Sequence, residues 1–476
     1  MYPIQPFGLP LFLLFCLCSC GNEPKLSSHS PTALSFYEKG VRLWDQFYYA
    51  EAKACLDSAL MYDSTFAMAW GRLAVLNFDT RDEARARNNI ATALRFSRNA
   101  TPLEQLYIKL WHHRIHFADR DAGRVADSLI QAFPDDAEAH VMRAALYESV
   151  QQLDSAITLY RRAVELDTGY AKAVMLLGYA YSTVGDQEKA IAQMQQYIKL
   201  APHLADPRAS YADLLMRVGR YDEALDQYRK SLELKPDYWY AINQIGSIYS
   251  ALGRLRDAES QFERGLSFLP QGPQIDALRI VVRADLNMRR GQHQKALEEY
   301  SQVLAIDSTN YDASYGLVSA LSKLGRFDEA HQGIADVRAE LERRNLMNSQ
   351  LVVGFHLMRA RVLMDEGRLD EAKSACNDAF EHSTPVSRGA VFRQLAEIYL
   401  KTGEYDNAFD ACEEALGINP NSPPSLLTLT KLYDAKKDRR MTREIGNRLL
   451  SLWKDIDPDF QDALELKKVL GMNRAR

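Results

Sequence analysis

Cysteine is scarce in this chain of 476 residues: there are six, and Cys16, Cys18 and Cys20 fall within the first twenty positions. That count excludes a disulfide scaffold. An excess of positive charge is missing too. Lys and Arg total 58 against 63 Asp and Glu, a formal net charge of −5, so no basic face marks the chain for nucleic acid. The apolar run from Leu11 to Cys18 falls short of the ~20 residues a membrane-spanning helix needs. Catalytic motifs are also absent: there is no GxSxG elbow, phosphate-binding GxxxxGK[ST] loop, HExxH or CxxC, so an enzyme is not expected. No cofactor and no small-molecule substrate are implied. What remains is an ordinary folded composition, 47% hydrophobic and 25% charged.

Two clusters of potential ligands need weighing. His112 and His116 stand four apart, so they share one helix face. A zinc site takes three or four ligands, and no acid or cysteine lies at matching helical spacing. Arg114 between them opposes a cation, so no metal is expected. Cys376 and Cys412 take the same place in two successive repeats described below. They read as small buried hydrophobes, too far apart to bridge.

The amino terminus reads as an address. The apolar run ends in Leu17-Cys18-Ser19-Cys20, followed by Gly21. The stretch before it has no Lys or Arg, so the terminal amine is its only positive charge. This pattern resembles the bacterial lipobox. The resemblance implies a signal peptide over 1–19 and acylation of Cys20, with chains such as palmitate, on sulfur and on nitrogen. Residues 20–32 are then the lipidated cysteine and a polar tether. Several acyl chains at ~0.8 kcal/mol per buried CH₂ anchor a protein stably. Gly21 is not the aspartate that, by resemblance, retains enterobacterial lipoproteins at the inner membrane. The expected location is therefore the cell envelope, at the outer membrane.

The rest repeats with a period of 34. Residues 171–204 read AKAVMLLGYAYSTVGDQEKAIAQMQQYIKLAPHL, and 205–238 and 239–272 follow in the same register. A small residue sits at place eight (Gly178, Ala212, Gly246). A glycine sits at place fifteen (Gly185, Gly219, Gly253), an alanine at twenty (Ala190, Ala224, Ala258) and a proline at thirty-two (Pro202, Pro236, Pro270). Apolar residues at helical intervals give two amphipathic helices per unit, and the small residues let them approach. The glycine supplies a left-handed turn, and the proline ends the second helix. The pattern resembles the tetratricopeptide (TPR) repeat. Carried outwards, it gives about twelve units over 33–456, with degenerate units at 103–136 and 423–456. A C-terminal capping helix and tail occupy 457–476. The fold class expected is all-α, a TPR α-solenoid.

The resemblance implies a right-handed superhelix whose first helices line a concave groove that binds proteins or peptides. Groove-facing places are the second, fifth, ninth, twelfth and thirteenth. In the first two units these hold Tyr37, Trp44, Met68 and Phe78 among others, an aromatic wall of the kind that marks an interface. In the middle units they hold Tyr179, Asp213, Arg217, Tyr240, Asn243, Asp285 and Tyr315, a mixture suited to a polar peptide. The function expected is a non-enzymatic, lipid-anchored protein-interaction scaffold. Its partner is a protein or peptide, with the membrane reached through the lipid. Two alternatives stand beside it: a sensory or regulatory TPR module acting through a partner, and a glycan-binding lipoprotein. The latter carries long insertions, whereas the longest here is 345–352.

Overall fold

The computed structural model describes residues 26–472, apart from positions 47, 81, 345 and 347–350. Among the described residues every element is a helix. The chain forms two compact units, divided after Pro134.

Unit one holds three helix pairs: α1 (Pro31–Asp45) with α2 (Tyr49–Tyr62), α3 (Ala67–Asp79) with α4 (Glu83–Phe96), and α5 (Pro102–Ile115) with α6 (Asp119–Ala132). Unit two continues with α7 (Ala137–Ser149), α8 (Leu153–Leu166), α9 (Ala171–Thr183), α10 (Gln187–Leu200), α11 (Asp206–Arg217), α12 (Tyr221–Leu234), α13 (Trp239–Ala251) and α14 (Leu255–Ser267). Then come α15 (Pro273–Arg289), α16 (His293–Ile306), α17 (Tyr311–Lys323), α18 (Phe327–Arg343), α19 (Leu351–Glu366), α20 (Leu369–Glu381), α21 (Arg388–Thr402) and α22 (Tyr405–Ile418). The final pair is α23 (Pro423–Ala435) with α24 (Arg439–Leu452), and α25 (Gln461–Val469) closes the chain. The pairs number twelve, followed by one helix. Residues 273–276, which fall outside the thirty-four-residue register, form the first turn of α15.

The helices start and stop for local reasons. Ser30 caps α1 by accepting from the Ala33 N–H, and Thr101 with Glu104 forms a reciprocal capping box on α5. Between paired helices the chain must turn left-handed. Gly185 to Gly403 do so at place fifteen, with φ from 73° to 92°. Phe117, Gln151 and Lys437 take the same turn without glycine, at 55°, 59° and 64°. Place twenty is the tightest contact within each pair. Ala52, Ala86, Ala122, Ala156, Ala190, Ala224, Ala258, Ala296, Ala330, Ala372 and Ala408 there are all fully buried, because any larger side chain would push the helices apart. Cys376 and Cys412 are buried and unbridged, and burial pushes both thiols up to about 12.

Unit two also folds back on itself. Asn421 Nδ2 donates to the Gly219 carbonyl at 3.1 Å, and Asn419 reaches the Tyr221 hydroxyl at 3.4 Å. Asp457 N–H donates to the Gly253 carbonyl at 2.9 Å, while its carboxylate accepts from the Arg256 N–H at the start of α14. Gln461 donates to the Arg290 carbonyl at 3.1 Å. The buried Phe460 ring lies against Gly253, where a Cβ would clash with it. One apolar cluster joins Leu225, Leu252, Leu255 and Leu286 to Leu426, Leu449, Trp453 and Leu466. The capping helix therefore does more than cover α23 and α24. With the segment before it, it joins α23 and α24 to turns about 170 to 200 residues earlier in the chain.

Candidate partner-binding groove

The inner wall of unit one is packed, which corrects the expectation of an exposed aromatic wall. Tyr37, Trp44 and Met68 are buried. The cause is a residue one repeat further on. Trp111 of α5 is fully buried, and its indole occupies the space beside Gly71, where a Cβ would stand 2.6 Å from the ring. The buried Arg72 guanidinium lies 4.8 Å from the Trp111 ring and 5.4 Å from the Trp44 ring. Its Nε donates to the Tyr37 hydroxyl at 3.3 Å. The result is a small core across the first helices. Phe78 differs: it is half-buried, 5.7 Å from the ring of the exposed Phe117.

The described part of the polar stretch before α1 is tied to this unit. Ser27 donates through its N–H and hydroxyl to Glu104, at 3.0 and 3.1 Å, and Ser28 donates to Asp63 at 2.6 Å. Pro31 and Thr32 already belong to α1. Cys20 lies outside the described residues.

Unit two presents a polar inner wall. Asp213 on α11, only 6% exposed, collects three phenols. Tyr179 from α9 and Tyr240 from α13 donate to one oxygen at 2.9 and 2.8 Å, and Tyr228 from α12 donates to the other. Asp206 accepts from Tyr197 and Tyr238, both at 2.9 Å. Burial raises the pKa of both carboxyls, and the phenol hydrogen bonds work against that rise. Burial and the adjoining carboxylates raise the phenols as well. Tyr179 and Tyr240 are thus brought together on one carboxylate, half-buried along the wall, with the Arg217 guanidinium 5.8 Å from the Tyr179 ring. Asn243 is half-buried, one turn along α13 from Tyr240.

Further along α13 the wall opens into a cavity of about 440 Å³, whose apolar lining includes Phe262, Val282 and Leu286. Ser247, Ser250, Asp285, Arg289, Tyr315 and Ser319 supply its polar atoms. Tyr300 holds the Asp285 carboxylate from below. Arg289 and Asp285 are exposed to the groove. Beyond it, Arg361 on α19 pairs with Glu397 on α21, and Arg393 joins them at 3.3 Å. Burial works against the Glu397 charge, but the two guanidiniums hold its pKa down at about 2.

The carboxylates of this wall are engaged by phenols or guanidiniums, and Asp206 also accepts from the Ser210 hydroxyl at 3.3 Å. His112 and His116 are neighbours, with ring centroids 4.3 Å apart. Burial first, then His116 and His113, lowers the His112 pKa. Among the described residues no group of three or more metal-ligating side chains gathers, and no helix is long and apolar enough to cross a membrane.

The sequence favours core packing over a groove role for Tyr107 and Trp111, and both are buried; it does not mark Arg72 or Asp206. Gly71 takes a groove place that is large in most units, and Trp111 sits one repeat later at place nine.

Comparison with known proteins agrees with the repeat pattern. Tetratricopeptide repeat families match residues 120–171 and 357–423, 207–271 and 287–345. A further family, "Anaphase-promoting complex, cyclosome, subunit 3", matches 149–231. The chain is 23% identical to Tetratricopeptide repeat protein 37 of Xenopus laevis, over 60% of this chain and 18% of that one. It is 22% identical to Anaphase-promoting complex subunit 3 of Schizosaccharomyces pombe, over 57% and 40%. It is 23% identical to the TPR repeat-containing protein YpiA of Bacillus subtilis, over 60% and 63%. The chain thus spans less than two thirds of the length of each of these relatives. Among solved structures MamA matches at 25% identity and a TM-score of 0.30, over 33% of this chain and 93% of MamA. The thirty-four-residue period, the helix pairs and the family matches make the chain a member of the tetratricopeptide-repeat family, built of helix-pair repeats in each unit.

Proposed function

We propose that this chain is a non-enzymatic, lipid-anchored scaffold of the bacterial cell envelope, at the outer membrane, whose unit-two groove holds a partner protein or peptide. One observation carries the binding half of this reading: the cavity lined by Asp285, Arg289 and Tyr315, opening from the wall of Tyr179, Asp213 and Tyr240. Its lining combines apolar side chains with an exposed cation, an exposed carboxylate and hydroxyls. Such a site takes an extended segment that buries a side chain and satisfies its backbone at the rim. The self-closure of unit two keeps this wall in one shape, which lowers the ordering cost of binding. The lipid half rests on Leu17-Cys18-Ser19-Cys20. Repeats of this kind in large assemblies, as the name of the Schizosaccharomyces pombe relative indicates for that protein, support a role in holding partners.

A photo-crosslinking amino acid at Tyr315, in the groove, tests the reading against one at Lys199, exposed on a second helix. In membrane fractions Tyr315 should capture a discrete partner that Lys199 does not, and Arg289→Glu should abolish that product while the chain stays folded. Equal capture at both positions, or none at Tyr315, would sink the groove assignment. Cys20→Ala should move the chain out of the membrane fraction.

A further inference from the structure

The anchoring of residues 27 and 28 has a consequence for where unit one lies. Glu104, fully buried, accepts from Ser27, and its second oxygen accepts from the Thr101 N–H at 2.7 Å. Asp63, in the turn between α2 and α3, holds Ser28. Seven residue steps separate Cys20 from Ser27, and an extended chain covers at most ~3.6 Å per residue, so Cys20 stays within about 25 Å of the Ser27 anchor. A bilayer holding acyl chains on Cys20 therefore lies within reach of this edge of unit one.

That edge is apolar. Immediately before Asp63, Met61 is 85% exposed and Tyr62 58%. The Tyr62 ring stacks on Phe36, with centroids 5.7 Å apart and planes 9° from parallel. Trp70, half-buried, donates its indole N–H to the Ser64 carbonyl of the same turn. Aromatic side chains with one polar end suit the boundary between lipid headgroups and hydrocarbon. The surrounding charges do not favour an anionic partner: Glu38 stands beside Lys39, and Lys53 pairs with Asp57 at 2.6 Å.

We propose that the edge formed by Phe36, Met61 and Tyr62 rests in the headgroup layer of the bilayer that carries the lipid. This rests on the lipid-anchor reading of Cys20. The contact is apolar, so it does not depend on anionic lipid or salt.

The test uses the lipidated full chain carrying Met61→Cys, labelled with an environment-sensitive nitrobenzoxadiazole dye and reconstituted into phosphatidylcholine vesicles. Cys55, Cys376 and Cys412 are buried, so the label goes to the introduced thiol. The expected result is co-flotation with vesicles, several-fold brightening of the dye, and quenching by brominated lipid, all unchanged in high salt. Co-flotation with a dye that stays water-like overturns the proposal and leaves the anchor standing. Failure to co-float defeats the anchor reading and this proposal with it. Brightening only on addition of a membrane-protein extract, without quenching by brominated lipid, overturns it in favour of a protein partner on the same edge.

Discussion

The same groove places serve opposite ends in the two units. In unit one, Tyr37, Trp44, Tyr107 and Trp111 collapse around Arg72 into a buried cluster. In unit two, Tyr179 and Tyr240 at those places turn their hydroxyls onto Asp213 and stay half-buried along a wall that opens into a cavity. The backbone scaffold is alike in both. The difference lies in what fills the space between first helices: an indole beside a glycine at Gly71, or a carboxylate that phenols must reach. An aromatic side chain at a groove place is therefore not by itself a binding residue. Its neighbour one repeat later decides whether it is core or surface.

The sharpest way to break this comparison is Trp111→Ala. If the indole is the centre of unit one, its loss costs about 3–5 kcal/mol and leaves the buried Arg72 without one of its two ring partners. In a stacked array the damage stays near its source. Hydrogen exchange should quicken across α1, α3 and α5 while α11 and α13 keep their protection. A change of under about 1 kcal/mol would mean that the wall of unit one is not a core.

Its counterpart in unit two is Asp213→Ala, with a smaller effect. Three phenols lose their acceptor at once. Tyr179 and Tyr240 lie half-buried along the groove and can turn to water, whereas Tyr228 is fully buried. Hydrogen bonds to a charged group are worth about 1.5–3 kcal/mol, and the raised carboxyl pKa shows that burial already opposes the charge. The expected net loss is about 2–3 kcal/mol, read by denaturant unfolding, with α9 and α13 loosening most. A loss equal to that of Trp111→Ala would show that the polar wall is as much a core as the aromatic one.

How much of this could be read in advance follows the range of each interaction. The turns were legible because their signal is local. Place fifteen carries glycine from Gly185 to Gly403, and counting alone puts Phe117, Gln151 and Lys437 at the equivalent position, where φ is positive. The buried alanines at place twenty follow from the same count. Tyr179 and Tyr240 were found by place, but their shared carboxylate lies on a third helix, a repeat away from each. The packing of unit one depends on Trp111 entering the space left by Gly71, a contact between repeats that periodicity does not encode. The self-closure of unit two joins Asn421 to Gly219 and Asp457 to Arg256, pairs about 200 residues apart with no pattern to link them.

The smallest effect tests the comparison at the turns. Gln151 of unit two and Phe117 of unit one both hold a left-handed φ that glycine tolerates better. Gln151 is exposed, and the turn uses only its backbone, whose N–H donates to the Glu148 carbonyl. Gln151→Gly removes about 1–2 kcal/mol of left-handed strain, offset by about 0.5–1 kcal/mol of extra chain entropy in the unfolded state. The expected gain is thus a few tenths to about 1 kcal/mol. Phe117→Gly relieves the same strain but also removes the ring that lies 5.7 Å from Phe78, a pair worth about 0.5–1.5 kcal/mol. Its net change should be near zero or slightly unfavourable. Measured side by side, the two variants isolate the Phe78–Phe117 contact. If Phe117→Gly stabilises as much as Gln151→Gly, that contact contributes nothing and the turn of unit one simply tolerates strain. If Gln151→Gly alone gains, Phe117 keeps its strained backbone because its ring packs on Phe78, and the inner wall of unit one extends as far as this turn.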